Sequence, residues 1–245
     1  MPIPADAKLF AVVPAAGTGQ RMAAALPKQY LTLRGSTLAE QTLTRLLALA
    51  RIQRIAVPVA ASDPWWPELA LSRHPRVLNC TGGASRAESV VAGLQALLGQ
   101  AGARPGDWVL VHDMARPCVR LSDVERLVQA STDAGAILAL PVTDTVKRAD
   151  GHQQIEATLD RSQVWRALTP QLFPLGALLE ALQHGLASHP GQITDEASAM
   201  ELAGKRPLLV AGRADNIKVT LPDDLALADW YLARQEQEAL QWQSA

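Results

Sequence analysis

Arg21 and Lys28 stand just beyond a turn of small residues, Pro14-Ala-Ala-Gly17-Thr-Gly19-Gln-Arg21-Met22, which leaves the apolar run Leu9–Val13. Small residues let backbone N–H groups approach an anion closely, and two nearby cations could neutralise a phosphorylated ligand. Two familiar phosphate motifs fail here. The dinucleotide fingerprint needs a third glycine where Met22 stands, and the next acid, Glu40, lies inside a helical run. The phosphate-loop motif needs a Lys directly after Gly19, where Gln20 stands. On this segment alone, an anion-binding loop and a tight strand–helix turn with two solvated cations are equally good readings.

Three further segments carry chemistry of the same kind. Thr81-Gly-Gly83-Ala84-Ser85-Arg86 is a second glycine turn, directly ahead of a helical pattern whose first turn holds Ser89. The N-terminus of such a helix favours anions and polar ligands. His112-Asp113 follows the apolar run Trp108–Val111 and leads through Met114 and Ala115 to Arg116-Pro117. A carboxylate there suits Mg²⁺, which typically uses one or two carboxylates together with substrate phosphates. A helix cap or a salt bridge to Arg116 is the plainer alternative for Asp113. Gly212-Arg-Ala-Asp215-Asn216-Ile-Lys218 places an acid and a base three residues apart. None of these segments brings a Ser, Cys or His into a nucleophile–base pattern.

The elements that must position these residues read as alternating strands and helices. Apolar runs at Leu9–Val13, Ile55–Val59, Trp108–Val111 and Ala136–Val142 read as buried strands. Thr37–Ala50 and Ala87–Leu98 repeat apolar residues at helical spacing. Ser122-Asp-Val-Glu125 reads as a capping box before another helix. A helix starts at Pro174, Thr194 caps one that Gly204 ends, and the closing helix runs from Asp223. Leu208–Val210 and Ile217–Val219 are short strand candidates. The alternation predicts a mostly parallel sheet covered on both faces, with the glycine and Asp turns converging at one end of it. From about Thr143 to Trp165 the pattern breaks: polar strands at Thr145-Val146 and Thr158-Leu159 flank the turn signal Asp150-Gly151. That is a hairpin with too few large apolar residues for a core, expected to project and to gate a site or clasp a second subunit. With no repeats, no linker and no room after the closing helix, one domain spanning 1–245 with an arm at about 143–165 is expected.

Composition bounds the partners. In 245 residues, 24 acids stand against 23 Lys and Arg, a formal net charge of −1, so a basic nucleic-acid surface is excluded while a small cationic pocket is not. Cys80 and Cys118 are the only cysteines and have no ligand-spaced His, which argues against a disulfide scaffold or structural zinc. The N-terminus lacks a signal-peptide pattern, and no apolar run approaches the roughly 18–20 residues of a membrane span. A soluble cytoplasmic protein is expected.

Six blocks, in order along nearly the whole chain, resemble the 2-C-methyl-D-erythritol 4-phosphate cytidylyltransferases of the non-mevalonate isoprenoid pathway. They are Pro14–Met22, Pro27-Lys-Gln-Tyr30, Gly82–Ser89, Val111-His-Asp-Met-Ala-Arg-Pro117, Thr194-Asp-Glu-Ala-Ser198 and Gly212–Val219. The resemblance implies a Rossmann-like nucleotidyltransferase domain with a protruding β-hairpin arm, a homodimer, Mg²⁺ and CTP as co-substrate. It implies that Arg21 and Lys28 contact the CTP phosphates, and that Pro14, Ala15, Ala16, Gly17, Gly19, Gly83, Ala84, Ser89, Asp113 and Met114 line the nucleotide pocket. Asp113 would also hold the metal and, with Arg116, lie beside the methylerythritol. Thr145 and Arg161 on the arm would complete a neighbour's site, and Thr169 and Lys218 would hold the methylerythritol phosphate. Met114 replaces an alanine common in the family and alters one wall; Ala84 stands where an acid is common. A ribitol-phosphate cytidylyltransferase, another nucleotidyltransferase with a different base, or a noncatalytic nucleotide-binding subunit are the competing readings.

Overall fold

The computed structural model describes residues 3, 7–17, 26–189 and 191–243. Gly19 and Arg21 lie outside the described residues. In chain order the elements are β1 (Leu9–Val12), a small hairpin β2 (Thr32–Leu33) and β3 (Ser36–Thr37), α1 (Leu38–Leu47), β4 (Ile52–Val59), β5 (Val77–Thr81), α2 (Arg86–Gln100), β6 (Trp108–Val111), α3 (Leu121–Ala130), β7 (Ala136–Pro141), β8 (Val146–Ala149), β9 (Ile155–Leu159), β10 (Trp165–Pro174), α4 (Leu175–Ser188), α5 (Glu196–Leu202), β11 (Leu208–Ala211) and α6 (Pro222–Gln243).

Seven strands form one sheet in the order β11-β7-β10-β6-β1-β4-β5. Every pairing in it is parallel except those of β10, which runs antiparallel to both β6 and β7. The buried strands are apolar on both faces because helices cover both. In β1, Leu9 and Ala11 pack with Leu43, Leu46 and Leu127 of α1 and α3. Their neighbours Phe10 and Val12 point the other way, among Val90, Leu94, Leu178 and Leu182 of α2 and α4. Full burial of each such side chain stabilises the fold by about 1.5–3 kcal/mol. Helix α2 sits unusually close to the sheet: a Cβ at Gly93 would lie 2.6 Å from Val12 Cγ1. That close approach draws the N-terminal end of α2 to the carboxyl end of β1.

The expected strands and helices are present, with local corrections. Helix α3 starts at Leu121 after Arg120, and no side chain caps it. The expected Ser122–Glu125 capping box does not form, since Ser122 lies inside the helix; Asp123 beside it is buried and pairs with Arg126 at 2.8 Å. Asp195, not Thr194, caps α5, in a reciprocal box with Ser198. Pro174 ends β10 and is the residue before α4 rather than its first turn. Ile217–Val219 is not a strand; Val219 N–H donates to Ala115 O and ties this segment to the loop after β6. The expected hairpin forms as β8 and β9, a separate antiparallel pair with Val146 opposite Leu159. Most of its residues are exposed.

Candidate active site

The first turn begins as a continuation of β1: Val13 N–H and Ala15 N–H donate to Ala56 O and Pro58 O of β4, at 2.9 and 2.8 Å. Past Ala15 the chain turns over the end of the sheet. The second turn lies beside it, because Gly82 N–H donates to Val59 O at 2.8 Å. Its glycines are sterically required. A Cβ at Gly82 would meet Ala16 Cβ at 2.6 Å, and one at Gly83 would meet Glu88 Cβ at 2.3 Å. Ser89 Oγ accepts from Gly83 N–H and donates to Ser85 O, so the hydroxyl pins the turn to the first turn of α2.

Between these turns opens a cleft of about 690 Å³, lined by Pro14–Gly17, Lys28, Gln29, Gly83–Arg86, Ser89, Asp113–Ala115 and Lys218. A second chamber of about 520 Å³ adjoins it, lined by Arg86, Asp113, Arg116, Ala167, Leu168, Thr169, Gln171, Thr194, Asp195 and Lys218. Arg86, Asp113 and Lys218 line both, so they form the wall the chambers share.

That wall is a charge network. Asp113 Oδ1 accepts from Arg86 Nε at 2.9 Å, its Oδ2 lies 2.8 Å from Lys218 Nζ, and Arg116 Nε is 3.5 Å away. Burial alone would raise the Asp113 carboxyl, but Arg86 and Lys218 hold it well below the usual carboxylate range. Arg86 also makes a two-pronged bond to Glu196, at 2.7 and 3.1 Å. Glu196 is fully buried, and burial pushes its carboxyl up against the pull of Arg86. Arg86 in turn is raised by Glu196 and Asp113 against its own desolvation. Removing one member of a buried pair leaves the other uncompensated. Glu196→Gln, which keeps the size and drops the charge, should cost about 2–3 kcal/mol of stability, a clear fall in the urea unfolding midpoint. An unchanged midpoint would show that Arg86 does not depend on Glu196.

Behind the wall, burial pushes the His112 imidazole down to about 4, so it is neutral at neutral pH. Its Nε2 faces Arg116 O at 3.0 Å, which only accepts, so Nε2 carries the proton. Nδ1 then accepts from the Thr169 hydroxyl at 3.1 Å, while Thr169 Oγ1 accepts from Asp113 N–H at 3.0 Å. The Thr169 side chain therefore lines the second chamber with its proton already committed. Arg116 is braced by Asn216 O at 2.7 Å.

Of the residues singled out from sequence, Pro14, Ala15, Ala16, Gly17, Lys28, Gly83, Ala84, Ser89, Asp113, Met114 and Lys218 meet at the first cleft. Arg116 and Thr169 join Asp113 and Lys218 at the second. Thr145 and Arg161 line neither; both are exposed on the hairpin segment, where Arg161 Nη1 donates to Thr143 O at 2.5 Å. Gln29, Arg86 and Glu196 were not singled out, although each lies inside a quoted block. For Gln29 and Glu196 the signal is burial of a polar side chain, which only the folded chain reveals. Asp113 offers Mg²⁺ a single carboxylate, and among the described residues no group of three His, Cys, Asp or Glu forms a complete metal site. The donor set fits an ion that takes most of its ligands from substrate phosphates and water.

Two glycine turns at the carboxyl ends of parallel strands, opening on paired chambers with cations on the common wall, make an α/β protein built to hold phosphorylated ligands. The family model for 2-C-methyl-D-erythritol 4-phosphate cytidylyltransferase matches residues 9–234. A protein of that description from Haemophilus influenzae (strain PittGG) is 52% identical over 226 residues, 92% of this chain and 97% of that one. One from Vibrio atlanticus (strain LGP32) is 50% identical over 235 residues, 94% and 97% of the two chains. A crystal structure of 4-diphosphocytidyl-2C-methyl-D-erythritol synthase superposes with a TM-score of 0.79 at 37% identity, covering 93% of this chain and 99% of the other. The Francisella tularensis cytidylyltransferase gives a TM-score of 0.79 at 33% identity, covering 92% and 100%. The chain belongs to the 2-C-methyl-D-erythritol 4-phosphate cytidylyltransferase family.

Proposed function

We propose that the two chambers take CTP and 2-C-methyl-D-erythritol 4-phosphate, one on each side of the Arg86–Asp113–Lys218 wall. The reaction is transfer of the cytidylyl group to the acceptor phosphate, giving 4-diphosphocytidyl-2-C-methyl-D-erythritol and pyrophosphate in the non-mevalonate pathway. The observation that carries this reading is the pairing of a small-residue cleft with a cationic one across a single carboxylate. The cleft of Pro14–Gly17, Gly83, Ala84, Ser89 and Met114 holds the nucleotide, with Gly19 assigned to the same ligand and Arg21 and Lys28 to its phosphates. Arg116, Thr169 and Lys218 face the acceptor. Asp113 is the residue that would hold Mg²⁺, which would neutralise phosphate charge when bound.

An oxygen of the acceptor phosphate attacks the α-phosphorus of CTP; the new P–O bond forms as the bond to the β-phosphate bridge breaks and pyrophosphate leaves. A phosphate monoester with a second pKa of about 6 is already ionised at neutral pH, so no general base is needed. The obstacle is repulsion between two polyanions, which positioned cations offset. Lys218 is bonded to Asp113 here, so an arriving phosphate competes with that carboxylate for its ammonium group.

The chain acts as one nucleotidyltransferase domain whose arm, about 143–165, reaches a second copy and supplies Thr145 and Arg161 to that copy's acceptor chamber. Two supports are the exposure of both residues and their absence from the chambers of their own chain. No described helix is long and apolar enough to cross a membrane, and the proposed setting is the cytoplasm. Pyrophosphate release assayed across CTP, UTP, ATP and GTP, with methylerythritol phosphate and ribitol phosphate as acceptors, tests the reading. CTP with methylerythritol phosphate should dominate; preference for ribitol phosphate would overturn it. Arg161→Ala should raise the KM for methylerythritol phosphate about tenfold, and an unchanged KM would remove the arm from the site. Sedimentation should give a dimer, and a fully active monomer would contradict a shared site.

A further inference from the structure

We propose that Gln29 is a positioning residue for the nucleotide half of the reaction, shaping the Pro14–Gly17 turn through its side-chain amide; the proposal rests on CTP being the ligand of that cleft. Gln29 is 4% exposed, and its Nε2 donates to Ala15 O at 2.9 Å and to Gly17 O at 3.1 Å. Both amide hydrogens are thereby spent on one backbone turn. At Ala15 the turn is still held by the sheet through Pro58 O. At Gly17, a Cβ would meet no atom of the described residues within 4 Å. Among those residues it is hydrogen bonding from Gln29, not steric contact, that holds the turn at this point.

The chemistry of the bond matters as much as its geometry. Carbonyl lone pairs repel a polyphosphate. A donor placed on both carbonyl oxygens occupies them and leaves the turn better suited to an anion. Gln29 is itself held in place by its neighbours. Lys28 Nζ donates to Val219 O at 3.1 Å, and the Tyr30 hydroxyl donates to Asp63 Oδ2 at 2.6 Å. The short 3₁₀ turn Lys28–Tyr30 therefore has an anchor on each side of Gln29, at Val219 O and Asp63, while the Gln29 side chain also lies in hydrogen-bond reach of the Tyr30 hydroxyl. With those two bonds in place, replacing Gln29 should leave Lys28 where it is and act chiefly on the first turn.

Gln29→Met keeps the length and removes the donors; Gln29→Glu keeps the shape and turns two attractions into repulsions. In Gln29→Met, KM for CTP and the CTP dissociation constant from equilibrium dialysis without acceptor should both rise about tenfold. KM for methylerythritol phosphate should stay within about twofold, and Gln29→Glu should bind CTP more weakly than Gln29→Met. Wild-type affinity for CTP in a folded Gln29→Met overturns the proposal. So does an equal rise in both KM values with a lowered melting temperature, the mark of a merely structural residue. If Gln29→Glu does not fold, Gln29→Met decides alone. Wild-type protein that ignores CTP overturns the functional reading, whereas wild-type binding with unaltered variants overturns only the role of Gln29.

Discussion

Lys28→Ala is expected to lower turnover at saturating substrates by about a hundredfold or more while the protein stays folded, because a preorganised cation facing developing charge is worth roughly 2–4 kcal/mol of barrier. Lys28 is half-buried and reaches the nucleotide cleft from the Lys28–Tyr30 turn. Its bond to Val219 O brings its ammonium group to the segment that carries Lys218, and both lysines line the nucleotide cleft. Held this way, Lys28 needs little reorganisation when charge shifts towards the leaving pyrophosphate. The fold should tolerate the change, since Gln29 and Tyr30 keep their own anchors to Ala15, Gly17 and Asp63. Steady-state turnover beside a thermal melt reads both halves of the expectation. Near wild-type turnover would remove Lys28 from the transition state.

Asp113→Asn should be as damaging, by a different route. The carboxylate is the common partner of Arg86, Lys218 and Arg116, and an amide in its place would leave three cations converging on a neutral group. Breaking a buried ion cluster in this way costs about 3–5 kcal/mol where screening is slight; the partial exposure of Lys218 and Arg86 argues for the lower end. Activity should fall by more than about a hundredfold as well, because the wall between the two chambers loses its order and the carboxylate proposed to hold Mg²⁺ is lost. The pH dependence has a definite sign. A carboxylate whose folded pKa is depressed contributes its full stability above its unfolded value of about 4, and loses it as pH falls towards the folded value. The stability gap between wild type and variant should therefore be flat around neutrality and close only in strong acid. A gap that closes between roughly pH 6 and 8 would show that another group carries it.

Much of the site was legible because its geometry depends on small residues and on strand ends, both of which leave marks in sequence. Gly82 and Gly83 stand where Ala16 and Glu88 leave no room for a Cβ, and Asp113 lies two residues past the end of β6. The central parallel strands β1, β4, β6 and β7 were legible as apolar runs because helices cover them on both faces, whereas the half-exposed edge strand β5 was not. Strand β10 was not, because its buried half includes Thr169, Pro170 and Gln171, and its pairing with β7 is irregular between Ala167 and Gln171. Those polar residues are buried by the site they serve; Gln171 spends its amide on Asp195 and on the N–H of Ala197. Ile217–Val219 misled in the opposite direction: an apolar–Lys–apolar triplet resembles a strand, yet Val219 is buried against α6 rather than in the sheet. The Arg86–Glu196 bond joins residues 110 apart in the chain, and no local pattern announces it.

Cytidylyl transfer between the two chambers can be read directly by phosphorus NMR of purified protein incubated with CTP, methylerythritol phosphate and Mg²⁺. Coupled diphosphate resonances of 4-diphosphocytidyl-2-C-methyl-D-erythritol should grow in step with free pyrophosphate as the acceptor monoester signal disappears. Persistence of the acceptor signal while CTP is hydrolysed, or with CTP bound and unchanged, would contradict that transfer.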